Sequence, residues 1–201
     1  LLKVWHKYRE EGIKLNAEKQ LGNLPSEEEL TQAAGCKGWD NVIINDEEST
    51  VYITQPCQSF DVGGIAKGYA TELVAQEVSQ NMQAGYFNVG RNIRTFNDKP
   101  DGTTWNVGIA DPEGALPNGL ALISSKGSFS FVTSGDYERF YIATDGKSYH
   151  HIIDPSTNYP ASHYRSVTII TENSGVADCL STTLFTLSIE DGKKVLEAYK
   201  Q

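Results

Sequence analysis

The chain has 201 residues, 39% of them hydrophobic, enough for one sizeable core or two small ones. Its formal net charge of -9 excludes generic nucleic-acid binding, since phosphate backbones are held by basic surface, but leaves room for a local cation cluster around one anionic ligand. No apolar stretch approaches the ~18 residues of a membrane span. The cysteines, Cys36, Cys57 and Cys179, are odd in number and lack CxxC spacing, so they imply neither a disulfide framework nor a zinc site and read as buried free thiols. The opening Leu-Leu-Lys-Val-Trp has no initiator Met and reads as the inside of an element, as expected of a fragment or processed form.

Residues 1–35 are charged and read as helical in pieces, with 10–24 as a mobile loop because Gly, Asn and Lys there show no firm periodicity. Pro25-Ser26-Glu27-Glu28-Glu29 predicts a helix start with Ser26 as N-cap and Glu29 closing a capping box. Two apolar runs, 42–44 and 51–53, flank a polar hexapeptide and predict a hairpin. The segment 61–70, Asp-Val-Gly-Gly-Ile-Ala-Lys-Gly-Tyr-Ala, reads as a strand end, a glycine turn and a helix opening. Ile65, Tyr69, Leu73, Val74 and Val78 then recur at helical spacing, which predicts a helix from about Ile65 to near Gly85.

From Tyr86 onward the pattern changes to strands. Phe87 and Val89 alternate, as do Trp105, Val107 and Ile109, then Leu120, Leu122 and Ser124, and finally Val167, Ile169 and Thr171. A long aromatic stretch, 129–142, is broken at Ser134-Gly135 and is expected to place Tyr137, Arg139 and Tyr141 on one strand face. Turn signals at Asp111-Pro112, Asp145-Gly146 and Asp154-Pro155 separate these runs. Helices are predicted over about 176–187 and 193–199. Helices segregated around strand-rich stretches imply an α+β fold with largely antiparallel sheet.

Two segments carry chemistry. In 61–70, Gly63 and Gly64 allow close backbone approach at a helix start whose free N–H groups favour anions. Lys67 falls in the first turn, where a cation is disfavoured by roughly 0.3–1 kcal/mol, and a misplaced charge beside a glycine pair suggests a phosphate site. A tight connection into the helix is the plainer alternative. In 175–185, Asp178 and Thr182 stand four residues apart on one helix face with Ser181 beside them, while Leu180, Leu184 and Leu187 can face the core. A carboxylate and a hydroxyl so placed suit a hard cation such as magnesium, or are simply a dipole-favoured Asp and a solvated Thr. His150 and His151 are adjacent on a strand, so only one of them is expected to enter a given site.

Taken in order and spacing, these segments resemble the ApbE family, the FAD:protein FMN transferases. The resemblance rests on 61–70, on Phe87-Asn88-Val89-Gly90 with Asn92-Ile93, on Thr133-Ser-Gly-Asp-Tyr137, on His151-Ile-Ile-Asp-Pro155, and on Ala177-Asp178 with Ser181-Thr182. It implies one ApbE-like domain over 1–201, incomplete at both ends relative to the family, that splits FAD, releases AMP and moves FMN onto a Ser or Thr hydroxyl of an acceptor protein with magnesium. It further implies Asp178, Thr182 and the Ala66 carbonyl as metal ligands, and Gly63, Lys67, Tyr69 and Ile153 as flavin-nucleotide contacts. His151 and Asp61 are then the candidates for deprotonating the acceptor. A lipid anchor outside the bacterial cytoplasmic membrane is also implied. Hydrolysis of FAD to FMN and AMP, and a degraded flavin-binding relative, are the alternative functions. Two positions depart from the family pattern. Arg91 stands where Gly is usual, so it is expected to strain the turn or block the pocket, and Asn158 replaces a turn Gly.

Overall fold

The structure, a computed structural model, describes residues 1–199. Its helices are α1 (Leu2–Ala17), α2 (Glu27–Ala34), α3 (Ala66–Ser79), α4 (Ser174–Phe185) and α5 (Ile189–Tyr199). Its strands are β1 (Val42–Asn45), β2 (Thr50–Ile53), β3 (Gly85–Val89), β4 (Asn92–Phe96), β5 (Trp105–Ile109), β6 (Ala121–Ser125), β7 (Ser130–Gly135), β8 (Phe140–Ile142), β9 (Ser148–His150) and β10 (Ser166–Thr171). All named strand pairs are antiparallel, as the sequence pattern implies. The chain divides into two compact units, Leu1–Asp61 with Arg139–Pro160, and Val62–Glu138 with the residues from Ala161 on.

In the first unit α1 runs through much of the segment expected to be a loop, ending at Ala17. Gly12 and Asn16 mislead there because each has a tertiary task. A Cβ on Gly12 would lie 2.2 Å from the buried Tyr141 ring, so only glycine lets the helix approach, at the ordinary cost of about 1 kcal/mol in a helix interior. Asn16 donates to the Ile142 carbonyl and accepts its N–H, extending β8 toward the helix. Trp5, 1% exposed, stacks on Tyr149 at 5.4 Å and donates its indole N–H to the Asn158 carbonyl. Asn158 has φ +66°, the left-handed conformation that Asn tolerates in place of Gly. The capping box at Ser26 and Glu29 forms as expected, and β1 pairs with β2 from Val42↔Ile53 to Asn45↔Thr50.

The cysteine expectation is overturned. Cys36 and Cys57 form a disulfide with Cα atoms 5.6 Å apart, and the free thiol, Cys179, is exposed. Sequence spacing could not show this pairing, because it depends on the chain bringing the end of α2 beside the segment after β2.

In the second unit a four-stranded sheet of order β10-β7-β4-β3 carries α3 and α4, which also pack on one another. Phe96, Phe131, Val132, Ala75, Ala177, Leu184 and Phe185 fill its core. The helix at 66–79 is present but shorter than expected, and no strand leads into it. Its apolar stripe is also turned outward. Tyr69 and Leu73 are 59% and 50% exposed, and the buried residues are Gly68, Thr71, Glu72 and Ala75. The reason is close helix contact: a Cβ on Gly68 would stand 2.2 Å from the Ser174 carbonyl oxygen, so α4 occupies the small-residue side of α3. The 129–142 stretch also splits. Tyr137 follows β7 in the second unit, while Arg139 and Tyr141 belong to the first, so the three residues do not share a strand face.

Candidate active site

The start of α3 and the first turns of α4 build the site in the second unit. Asp178 is 2% exposed, and its Oδ2 accepts the Gly68 N–H at 2.8 Å while Oδ1 lies 3.4 Å from the Lys67 ammonium. Lys67 also donates to the Gly63 carbonyl at 3.3 Å. The cation that looked misplaced in the first helical turn is therefore compensated by a carboxylate and a carbonyl, and the carboxylate takes the favoured anionic position at the α3 N-terminus.

Part of the donor capacity expected to face a phosphate at the α3 start is used within the protein. The Ile65 and Ala66 N–H groups both donate to the Val62 carbonyl, and the Gly68 N–H is spent on Asp178. Gly63 and Gly64 do not take positive φ either. Gly64 serves proximity instead: a Cβ there would stand 3.3 Å from Thr182 Cγ2 and 3.5 Å from its hydroxyl oxygen.

The Thr182 hydroxyl is also 3.3 Å from Ser134 Oγ, which in turn contacts the fully buried Ser181 hydroxyl at 2.9 Å. Asp178, Thr182, Ser181 and Ser134 therefore gather on one side of α4 against the end of β7, as the four-residue spacing predicts for the first two. Ala66, a half-buried residue, opens α3 one position before Lys67. Every donor in this set is a hard oxygen, and an ammonium already bridges two oxygens here. That chemistry fits a magnesium ion and not a soft metal. Among the described residues no cluster of three or more His, Cys, Asp or Glu could hold a metal alone, so any ion would need other oxygens to complete its shell.

Arg91 stands beside this region. Gly90 and Arg91 both adopt positive φ, +55° and +69°, in the two-residue turn joining β3 to β4. A non-glycine residue in that conformation costs about 1–2 kcal/mol, so the expected strain is present. Contacts hold it: the guanidinium lies 4.9 Å from the Tyr137 ring centroid, donates to the Tyr137 hydroxyl at 2.6 Å and pairs with Glu138 at 2.7 Å. The Tyr137 ring rests over Gly135, where a Cβ would meet it at 2.5 Å.

The remaining candidates, Asp61, His151 and Ile153, belong to the first unit. Of the two adjacent histidines, His150 is 5% exposed and its Nδ1 accepts the Ile152 N–H. His151 is half-buried, and its Nδ1 is shielded from water with no hydrogen-bond partner among the described residues. Burial, with the charges of His150, Arg9 and Arg139, pushes the His151 imidazole down to about 4 from 6.5, so it is neutral at physiological pH with an open acceptor nitrogen. Ile153 bridges to Pro160, and Asp154 closes the Asp-Pro turn by accepting the Ser156 N–H and hydroxyl, both at 2.7 Å.

Sequence reading missed Glu72, Arg94 and Ser174, and named Ser134 only within a motif and at a strand break, with no role at the site. Glu72 and Arg94 form a buried bidentate ion pair with both contacts at 2.9 Å. In the sequence each is an ordinary surface charge, and no local signal marks either one as buried.

Fold and site together define an α+β protein that gathers hard oxygens and one lysine where two helices meet on an antiparallel sheet. The chain belongs to the ApbE family, whose sequence model matches residues 1–201. It is 31% identical over 184 residues to the FAD:protein FMN transferase of Haemophilus influenzae, covering 90% of this chain and 53% of that protein. It is 36% identical over 155 residues to the Klebsiella pneumoniae enzyme of the same name, covering 75% and 46%. The crystal structure of the ApbE protein from Thermotoga maritima matches with a TM-score of 0.77 at 37% identity, over 89% of this chain and 57% of that one. The chain thus spans about half the length of the curated relatives it matches.

Proposed function

We propose that this chain carries the catalytic core of a magnesium-dependent transferase that moves FMN from FAD to a Ser or Thr hydroxyl of an acceptor protein and releases AMP. The observation that carries this reading is the buried Asp178 carboxylate, fixed by the Gly68 N–H and facing Lys67 beside Thr182. The names of the relatives, FAD:protein FMN transferase, support the reaction class.

Asp178, Thr182 and the Ala66 carbonyl are the residues that would hold magnesium, which when bound neutralises phosphate charge. Lys67 is 45% exposed at its side chain and free to swing from Asp178 toward a phosphate oxygen. Gly63 and Tyr69 flank the same turn as nucleotide contacts, and Ile153 is named as a contact by the family resemblance alone. The acceptor oxygen attacks the FMN phosphorus, the bond to the AMP phosphate breaks, and the hydroxyl proton passes to a base. His151 and Asp61 are the candidates that the family resemblance offers for that base. The Cys36–Cys57 disulfide supports an extracytoplasmic location, where such bonds persist, and lipid anchoring follows from the family resemblance alone. Among the described residues no helix is long and apolar enough to cross a membrane.

The test is incubation with FAD, magnesium and an acceptor protein, reading AMP by chromatography and protein-bound flavin by fluorescence in a denaturing gel. Asp178→Asn keeps an acceptor for the Gly68 N–H and removes the charge, so transfer should fall at least ~100-fold without unfolding, about 2.7 kcal/mol at 1.36 kcal/mol per decade. Transfer that survives a chelator refutes the metal assignment. Free FMN and AMP without labelled protein identifies a pyrophosphatase instead.

A further inference from the structure

Helices α3 and α4 are joined by two polar contacts in matched register. Gly68 donates its N–H to Asp178 at 2.8 Å, and Ser174 donates its N–H to Glu72 Oε2 at 2.7 Å. Gly68 and Glu72 are four apart on α3, Ser174 and Asp178 four apart on α4, and the pairs run in opposite chain directions. The second contact is therefore the first one with donor and acceptor helices exchanged, a helical turn away.

Glu72 is 5% exposed and is held from three elements. Arg94 on β4 grips both its oxygens at 2.9 Å, Gln76 donates to Oε1 at 3.0 Å, and Ser174 opens α4 against Oε2. Burial pushes the Glu72 carboxyl up, but the bonds from Arg94 and Ser174 with the Arg94 charge more than offset it, so it is held below its usual range and stays ionised. The Ser174 hydroxyl donates to Asn92 on β4 at 2.6 Å, fixing the same helix start to the sheet.

We propose that Glu72 is a positioning residue for the α3–α4 site: by accepting the Ser174 N–H it sets the register of α4 on α3 and so holds Asp178 against Gly68 and Lys67. The role of Glu72 lies in that backbone contact and not in its charge pair with Arg94. The consequence for catalysis rests on the metal reading of Asp178, whereas the register itself does not.

Two double variants separate these roles. Glu72→Gln with Arg94→Met removes both charges but keeps an oxygen for Ser174, whereas Glu72→Met with Arg94→Met removes the oxygen as well. Apolar replacement of a whole buried ion pair is commonly tolerated, so both are expected to fold. Ser174→Pro is the third variant. It deletes the N–H at the first helical position, where proline is favoured, after an Asn173 whose φ −100° and ψ 122° suit a residue before proline; because the hydroxyl bond to Asn92 goes with it, Ser174→Ala, which loses that hydroxyl and keeps the N–H, is its reference.

The first readout is hydrogen exchange of the Gly68 amide, which needs neither flavin nor metal. It should exchange at least tenfold faster in the Met/Met variant and in Ser174→Pro than in the Gln/Met variant, at matched melting temperature. The second is FAD affinity by flavin-fluorescence quenching with magnesium, alone and across a magnesium titration. The half-saturating magnesium concentration should rise about tenfold in the same two variants and stay within about twofold of native in Gln/Met. Equal Gly68 protection in all the folded variants overturns the proposal, as does loss of protection in Gln/Met, which would assign the role to the charges. If Gly68 protection follows the prediction but magnesium has no effect on native FAD binding, the register role stands and the metal reading of Asp178 fails.

Discussion

Replacing His151 with leucine should remove a pH dependence of stability that its buried imidazole imposes. The imidazole is pushed down to about 4 from 6.5, by burial first and then by the charges of His150, Arg9 and Arg139, with the Arg139 backbone contact working the other way. The folded chain therefore binds fewer protons than the unfolded chain between those values. This group's contribution is full above pH 6.5, falls as pH drops, and is gone by about pH 4. At 1.36 kcal/mol per pH unit the ceiling is about 3 kcal/mol, and solvent reaching a half-buried ring reduces it, so about 1–2 kcal/mol should be lost between pH 7.5 and 5. The assay is urea unfolding of the native chain and His151→Leu at both pH values. The free-energy gap between the two proteins should shift toward the variant by that amount on acidification. A gap that stays constant within about 0.3 kcal/mol refutes the reasoning, because the ring would then titrate alike in both states.

Gly68→Ala should destabilise by about 1–3 kcal/mol in urea midpoint, because its Cβ would meet the Ser174 carbonyl at 2.2 Å and Asp178 Cβ at 2.5 Å. An unchanged midpoint would mean the helices separate freely. Arg91→Gly should raise stability by up to ~1 kcal/mol. That figure is an upper limit, because relief of φ +69° is offset by loss of the Tyr137 hydroxyl bond, the cation–π contact and the half-exposed Glu138 pair; tighter FAD binding by titration would identify Arg91 as an obstacle, equal or weaker binding as a neutral or helpful contact. Reducing the Cys36–Cys57 bond, or replacing both residues by serine, should cost about 3 kcal/mol for a closure of 21 residues, read as a lower melting temperature in the presence of a phosphine reductant. No shift would show that the bond constrains little of the unfolded chain.

What could be read from the sequence was local. The Ser26–Glu29 capping box, the hairpin at 42–53, the alternation in β5 and the strand at β10 depend on neighbours a few residues apart, and all of them stand in the structure. The Asp178–Thr182 spacing on one helix face was legible for the same reason. Lys67 was legible only as an anomaly, because its compensating carboxylate lies 111 residues further on. Glu72 shows the limit most clearly. In the sequence it is one more acid on an amphipathic helix whose apolar residues seem to mark the buried face. The structure buries the opposite side, because Gly68 permits close approach and the Arg94 guanidinium with the Ser174 N–H satisfies the carboxylate that the approach encloses. Apolar periodicity locates a helix by what it could bury, but the face actually buried is chosen by the partner that can come nearest. Here a glycine and a compensated acid outweigh Ile65, Tyr69 and Leu73, and that choice puts Asp178 at the start of α3.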